Sequence, residues 1–401
     1  MSDAVAYAWK RISCLEKLPV DDDVEKKLIS VRTVLGLYYT QLVLPAAAKA
    51  AVDPIVDLAI KHNYKKRIAQ INVILGFYYM AANEDYPKGL EYYEKALKIG
   101  EEINDILTLV LAKNAMGCCL SYNGEFEKAL SYLEKALAIN VKTNVQWGVV
   151  IVKLNIIYFV YRPLGNVKLA YQTSQEALRI ANESGDILSK AQANYALGVS
   201  YYLKGFLKEA EERLLKSSDL LQKSNQLAYA AGASTFLSAI YLDMEEYETS
   251  QKFSEEAISF WQHSSMRSSH IIGCKIFIAL AKVMNNEEDI KLNEIFCWYE
   301  NIKNKWARGR TCNHIGKILV NVDNHHLLEA EDWIKRSIET NQKYGMLWNL
   351  ARGYALYSDL CNRKGLVSQA KEKLSKAIEI FKECGADGWV EKYEKELAEL
   401  S

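Results

Sequence analysis

The sequence predicts an all-α protein, a right-handed superhelical solenoid of antiparallel helix hairpins, and three observations lead there. A small residue followed seven positions later by another recurs along the chain at a nearly fixed beat. Upstream of each such pair lies a further helical stretch with its own Gly or Tyr landmark, so each repeat contains two helices. Proline occupies only 5 of 401 positions, half the residues are apolar, and no low-complexity linker interrupts them, a composition long helices tolerate.

The beat is regular enough to set the unit length. Its first series is Gly89, Ala129, Ala170, Ala210, Ser250, Ile290, Ala330 and Ala370, and its second is Ala96, Ala136, Ala177, Ser217, Ala257, Cys297, Ser337 and Ala377. Successive members stand 40, 41, 40, 40, 40, 40 and 40 residues apart. Landmarks of the preceding helix are Leu75-Gly76 with Tyr79, Met116-Gly117, Tyr158 with Tyr161, Leu197-Gly198 with Tyr201, Leu237-Ser238 with Tyr241, and Ile315-Gly316. Two helices packed about 8–10 Å apart need small side chains where their axes cross and large ones beside them. Tyr79, Tyr161, Tyr201 and Tyr241 are therefore read as packing residues. Turns within hairpins are expected at Asn83, Gly124, Gly165, Gly205, Glu245, Asn285 and Gly365, mostly residues suited to a left-handed helix C-cap. Polar breaks around residue 143 and at 183–186, 222–226 and 383–387 separate the units.

These residues carry a resemblance. Leu197-Gly198, Tyr201, Gly205-Phe206 and Ala210, and still more closely Met116-Gly117, Gly124, Glu125-Phe126, Ala129 and Ala136, resemble the tetratricopeptide consensus in a long-helix form. The solenoid is expected over residues 1–401: a partial repeat or cap at 1–29, eight to nine repeats over 30–387, and a capping helix at 388–401. The unit at 266–305, with Ile278, Ile290 and Cys297 where small residues are expected, reads as degenerate. Both ends of the chain are similar to the C-terminal repeat regions of bacterial signalling ATPases and cyclase fusions. Residues 3–18 look like a second helix without its first; a larger parent protein and a natural N-terminal cap are both open readings.

Composition narrows the partners. Lys plus Arg and Asp plus Glu each number 50, so no net field attracts nucleic acid or an anionic membrane. No apolar run approaches the roughly 18 residues of a membrane span, and a cytoplasmic location is expected. The eight cysteines contain no CxxC pair and read as reduced packing residues. No phosphate-binding loop, dinucleotide fingerprint, nucleophile elbow or HExxH motif occurs, and the six histidines are dispersed. No enzyme, cofactor or metal is therefore expected. His325-His326 reads as a solvated turn, and Glu91 with Lys95 and Glu127 with Lys128 as solvated outer faces.

First helices of stacked hairpins line the concave side. The resemblance implies that the position three before the Leu-Gly glycine faces the groove, which gives Val73, Asn114, Asn155, Tyr195, Thr235, Asn313 and Ala355. Asparagines there can donate to and accept from an extended backbone, or simply tolerate a half-exposed surface; both readings stand. The same face supplies Gln70, Gln192, Tyr202, Arg162, Arg310, Lys317, Arg352 and Arg363, with Arg308 nearby, and the basic residues suggest an acidic ligand in the C-terminal half. The expected function is a non-catalytic protein- or peptide-binding scaffold, the sensor arm of a larger bacterial signalling protein. The alternative is a peptide- or small-ligand-responsive regulator of the pheromone-receptor or activator type. Val5, Ala8 and Trp9 offer a surface that could pair two chains, and the oligomeric state is left open.

Overall fold

A computed structural model describes residues 2–264, 266, 269–287 and 290–400. Among them there is no strand, and consecutive helices pack in antiparallel pairs. At the start, α1 (Ser2–Leu15) lies on α2 (Asp22–Gln41), which pairs with the broken segment α3 (Pro45–Val52) and α4 (Val56–Lys61). Hairpins follow: α5 (Lys65–Ala81) with α6 (Tyr86–Glu102), and α7 (Ile106–Tyr122) with α8 (Phe126–Lys142). The next first helix is split into α9 (Gln146–Ile156) and α10 (Arg162–Leu164) and pairs with α11 (Val167–Ser184). Then come α12 (Ile187–Lys204) with α13 (Leu207–Lys223), and α14 (Leu227–Asp243) with α15 (Tyr247–His263). α16 (Ser269–Met284) is followed by α17 (Leu292–Glu300), α18 (Lys305–Val322) by α19 (Leu327–Lys343), and α20 (Leu347–Arg363) by α21 (Val367–Cys384). α22 (Asp387–Glu399) ends the chain.

The small residues sit where helices cross. Ala129, Ala170, Ala210, Ala330 and Ala370 are completely buried, and the facing glycines have no room for a side chain. A Cβ on Gly117 would lie 2.6 Å from Leu133 Cγ and 2.9 Å from the Ala129 carbonyl; one on Gly198 would lie 2.7 Å from Leu214 Cγ. Gly124, Gly165, Gly205 and Gly365 adopt positive φ as expected, and Glu245 does so too although its side chain does not suit it; at the other two turns the left-handed residue is Glu84 or Asn286, one place after the expected Asn83 or Asn285. Asn104, Asn144, Gly185, Asn225 and Gly385 do the same between hairpins.

Several expectations are corrected. The first hairpin opens at Asp22 and not at residue 30, because the Asp21 carboxylate caps α2 by accepting from the Val24 amide at 2.7 Å. Ala8 is buried against α2, whereas Trp9 stays half exposed and donates to the Tyr39 hydroxyl. Six cysteines are buried, but Cys14 and Cys297 are exposed. Lys128 pairs with Glu125, not Glu127. In the unit at 266–305, α17 has 9 residues where α15 and α19 have 17. Its residues 267, 268, 288 and 289 lie outside the described ones.

One stretch, Gln146–Leu164, is long and apolar enough by composition to cross a membrane, contrary to expectation, but 67% of it is buried. This is also where the 41-residue interval falls. Asn104 to Asn144 is 40 residues, while Gly124 to Gly165 and Asn144 to Gly185 are each 41, so the extra residue lies between 144 and 165. It is absorbed as a π-turn over Ile157–Tyr161, in which the Arg162 amide reaches back to the Ile157 carbonyl. Pro163 lacks the N–H that would bond the Phe159 carbonyl, and the Ser121 hydroxyl of α7 donates to that carbonyl instead. The helix thereby turns Tyr158 and Arg162 inward.

The superhelix closes on itself. Residues well over 100 positions apart meet as successive superhelical turns touch, and most of the joints are at helix ends. Ser269 donates through its amide and hydroxyl to the Glu84 carboxylate at 3.2 and 3.0 Å, and Lys303 donates to the Asn83 carbonyl. The indoles of Trp348 and Trp389 donate to the Leu203 and Tyr202 carbonyls, each at 3.0 Å. Gly205, at φ 88°, lies so close to α22 that a Cβ there would stand 2.5 Å from the Trp389 amide. Lys204 and Asp387 pair across the same joint at 2.8 Å. α22 thus clasps the end of α12.

Candidate ligand channel

Closure encloses the concave face, leaving two adjoining chambers walled mainly by first helices, with Tyr158, Gly232, Trp261 and His270 common to both. The wider, about 260 Å³, lies within α5, α7, α9, α12 and α14 and is mostly apolar. The narrower, about 60 Å³, lies within α10, α12, α14, α16, α18 and α20.

The wide chamber holds Asn114, Asn155 and Tyr195. Asn155 Nδ2 donates to Asn114 Oδ1 at 2.9 Å, so the joined amides keep one donating NH₂ and one accepting oxygen, the complement of a peptide group. The two are not register equivalents. Counting from the helix starts, 106 to 114 is eight positions and 146 to 154 is eight, so Leu154 matches Asn114 and Asn155 comes one later. Tyr195 is a buried wall residue, its ring 5.9 Å from that of Phe236.

The narrow chamber holds Arg162, Arg310, Asn313 and Arg352. Each arginine follows an aromatic residue by four positions on its own helix and lies over that ring: Arg162 on Tyr158 at 4.1 Å, Arg310 on Trp306 at 5.7 Å, Arg352 on Trp348 at 5.6 Å. Arg162 also lies 4.2 Å over Trp306, so two guanidiniums share one indole. Arg352 pairs with the buried Asp243 carboxylate at 2.6 Å, and Asp243 also accepts from the Tyr202 hydroxyl at 2.9 Å. Burial works against charge on both, but each holds the other ionised: Asp243 is pushed below the usual carboxylate range and Arg352 raised further. Burial, reinforced by Arg162, lowers Arg310. Burial and the same arginines bring His270 down to about 4, so it is neutral at pH 7; its ring stacks on Trp261 at 4.7 Å. His314 is lowered in the same way and packs edge-on against Phe277.

The predicted row of asparagines is therefore split. Asn313 donates to the Arg352 carbonyl at 3.3 Å in the other chamber. Lys317 is outside both walls, lowered by burial while Asp243 opposes that shift. Gln70 is buried between units, accepting from Arg67 and donating to Asp105, and Gln192 is buried within α12; neither reaches a chamber. Arg363 is taken by the Val320 carbonyl and Asn321, and Arg308 by Tyr299 and the Ile302 carbonyl. Tyr79 and Tyr241 pack between the helices of one hairpin, stacking on Tyr92 and Phe253 at 5.4 Å each, whereas Tyr201 lies against Tyr171 of the preceding unit at 5.4 Å. His326 and the His325 amide bond the exposed Asp323 carboxylate. Asp22, Glu25 and His62 cluster closely enough to suggest metal ligands, but Lys61 already pairs with Glu25 at 2.8 Å. Sequence reading overlooked the aromatic-x-x-x-Arg spacing, which is visible at 158–162, 306–310 and 348–352.

Residues 67–140 match the family model described as Tetratricopeptide repeat. No curated protein matches the chain by sequence. Among solved structures, a Rap protein complexed with Competence and Sporulation Factor is similar over 92% of this chain and 98% of that one, at 16% identity and a TM-score of 0.53. The Rap conjugation gene regulator of plasmid pLS20, complexed with the Phr* peptide, is similar over 85% of this chain and 95% of that one, at 14% identity and a TM-score of 0.58. The STAND signal-transduction ATPase with a tetratricopeptide repeat sensor from Pyrococcus horikoshii aligns over 92% of this chain and 55% of that one, at 15% identity and a TM-score of 0.47. With that repeat model matched at 67–140 and paired helices continuing on either side, the chain is a tetratricopeptide-like helical-repeat protein.

Proposed function

We propose that this protein is a non-catalytic scaffold that captures an extended peptide or a protein segment in its closed channel and serves as the sensor arm of a bacterial signalling system. The observation that carries this reading is the Asn114–Asn155 amide pair in the wall of an apolar chamber of about 260 Å³. A peptide group can bond the free ends of that pair, and neighbouring apolar side chains can fill the space around it. Because both superhelical turns contribute to the channel wall, an occupant touches both at once. Binding is then linked to how firmly the turns close, as any ligand that prefers one state shifts the balance toward it.

The closed channel favours a short ligand over a folded partner, which supports the second reading, a peptide- or small-ligand-responsive regulator. The two similar Rap structures are complexes with Competence and Sporulation Factor and with the Phr* peptide, and the shared fold makes such a ligand reasonable to test here. The test is co-purification and mass spectrometry of bound peptides from native extract, comparing the wild-type chain with an Asn114→Ala, Asn155→Ala double variant. Loss of a specific peptide from a variant that stays folded, with the wild-type helical content at the temperature of capture, supports the reading. Capture that is equal in both overturns the placement of the site.

A further inference from the structure

We propose that the narrow chamber is an anion site whose charge-bearing residues are Arg162 and Arg310, and that it takes the carboxylate or phosphate head of a ligand whose apolar body lies in the wide chamber. This rests on the scaffold reading and names the ligand's chemistry.

The wall of the narrow chamber contains three arginines and no carboxylate. Arg352 is neutralised by Asp243 behind it. Arg162 is 7% exposed, and among the described residues neither it nor Arg310 has a hydrogen-bonded or ion-paired partner. The three buried side-chain atoms of this wall left without a hydrogen bond are all donors: Arg162 Nη2, Trp261 Nε1 and Trp306 Nε1. A buried cation without a counter-charge carries a large desolvation penalty, and an orphaned donor adds to it. An anion removes both penalties at once, since its oxygens accept from the donors and its charge offsets the guanidiniums. Aromatic faces hold Arg162 in place without consuming its N–H groups: Tyr158 at 4.1 Å, Trp306 at 4.2 Å and Phe236 at 5.2 Å. The guanidinium is thus fixed in position with its hydrogen-bonding capacity still available.

Size selects the head and the neighbouring chamber selects the body. About 60 Å³ admits one small polar group, and the space beyond the shared wall of Tyr158, Gly232, Trp261 and His270 is about 260 Å³ and largely apolar. Gly232 contributes no side chain to that wall, and a Cβ there would stand 2.9 Å from the Tyr195 hydroxyl.

The test uses the full chain and three matched eight-carbon probes, octanoate, octyl phosphate and octanol, titrated by calorimetry at constant ionic strength. At least one anion should bind saturably and at least tenfold more tightly than octanol, and the tighter of the two identifies the head. Arg162→Gln and Arg310→Gln should each reduce that anion to the octanol level without lowering the melting temperature of the ligand-free protein. Arg310→Lys, which keeps the charge and loses the fork, should fall in between. Octanol binding as tightly as both anions, or Arg310→Gln leaving anion affinity unchanged, overturns the proposal. Either result leaves the scaffold reading to stand or fall on the asparagine variants alone.

Discussion

Both chambers are walled mainly by first helices, yet they differ in how their polar groups are satisfied. In the wide chamber the asparagines bond one another and the remaining wall is mostly apolar. In the narrow one, three cations crowd together and a single carboxylate, Asp243, compensates only one of them. A repeat scaffold supplies the same geometry at each step, so the character of the channel is set by which side chain the sequence places at each inward position. The stability of the second region accordingly depends on one acid, whereas that of the first is spread over many apolar contacts.

Replacing Asp243 should break the comparison most sharply. Asp243→Asn leaves Arg352 without its counter-charge in a buried site and should cost about 3–5 kcal/mol in denaturant unfolding. Because the folded state holds Asp243 below the usual carboxylate range, its contribution is complete above the ordinary aspartate pKa and fades only as pH falls through the depressed value. The gap between wild type and Asp243→Asn should therefore persist at pH 5 and close only in stronger acid. A gap that vanishes already at pH 6 would mean the pair is not the cause.

Next in size is the joint between turns. Gly205→Ala meets both a left-handed backbone and the amide of Trp389, and should cost about 2–4 kcal/mol. Gly185→Ala has a similar φ of 72° but no atom within 4 Å, and should cost about 1 kcal/mol. Equal losses in the two would show that closure against α22 contributes nothing. Within a hairpin, Gly117→Ala should lose about 1–3 kcal/mol, because the Leu133 side chain and the Ala129 carbonyl already occupy the space. Asn155→Ala, which removes one buried amide hydrogen bond, should cost about 1 kcal/mol while abolishing peptide capture. Smallest is Lys95→Ala, an exposed pair with Glu91 at 2.6 Å, at less than about 0.5 kcal/mol.

Much of the fold was legible because repetition averages out local ambiguity. The 40-residue beat located the crossing alanines and glycines, and left-handed turns followed from Gly and Asn. The candidate site was legible only in part. The resemblance to the tetratricopeptide consensus placed Asn114, Arg310 and Arg352 on the inward face, and the structure puts all three in the channel wall. It failed for Gln70 and Gln192, which stand five positions after their helix starts as Arg310 and Arg352 do but carry shorter side chains, Gln70 being taken by Arg67 and Asp105 and Gln192 buried. It also misjudged the register of Asn155, because the extra residue of the 41-residue unit lies inside a helix, where a π-turn shifts the face.

What the sequence determined by itself is therefore everything that repeats: the helix pairs, their length, the small residues at their crossings and the turns that join them. These depend on neighbours within about 40 positions, and local physics carries that information. Only the tertiary structure decided whether the superhelix closes, since closure rests on contacts between residues such as Trp348 and Leu203 or Trp389 and Tyr202, which lie far apart in the chain and share no periodic signature. Closure in turn converts an open concave surface into two chambers and buries Arg162 beside the partly buried Arg310. Their charge was legible in the chain, but the absence of a counter-charge arises only when distant helices are brought together.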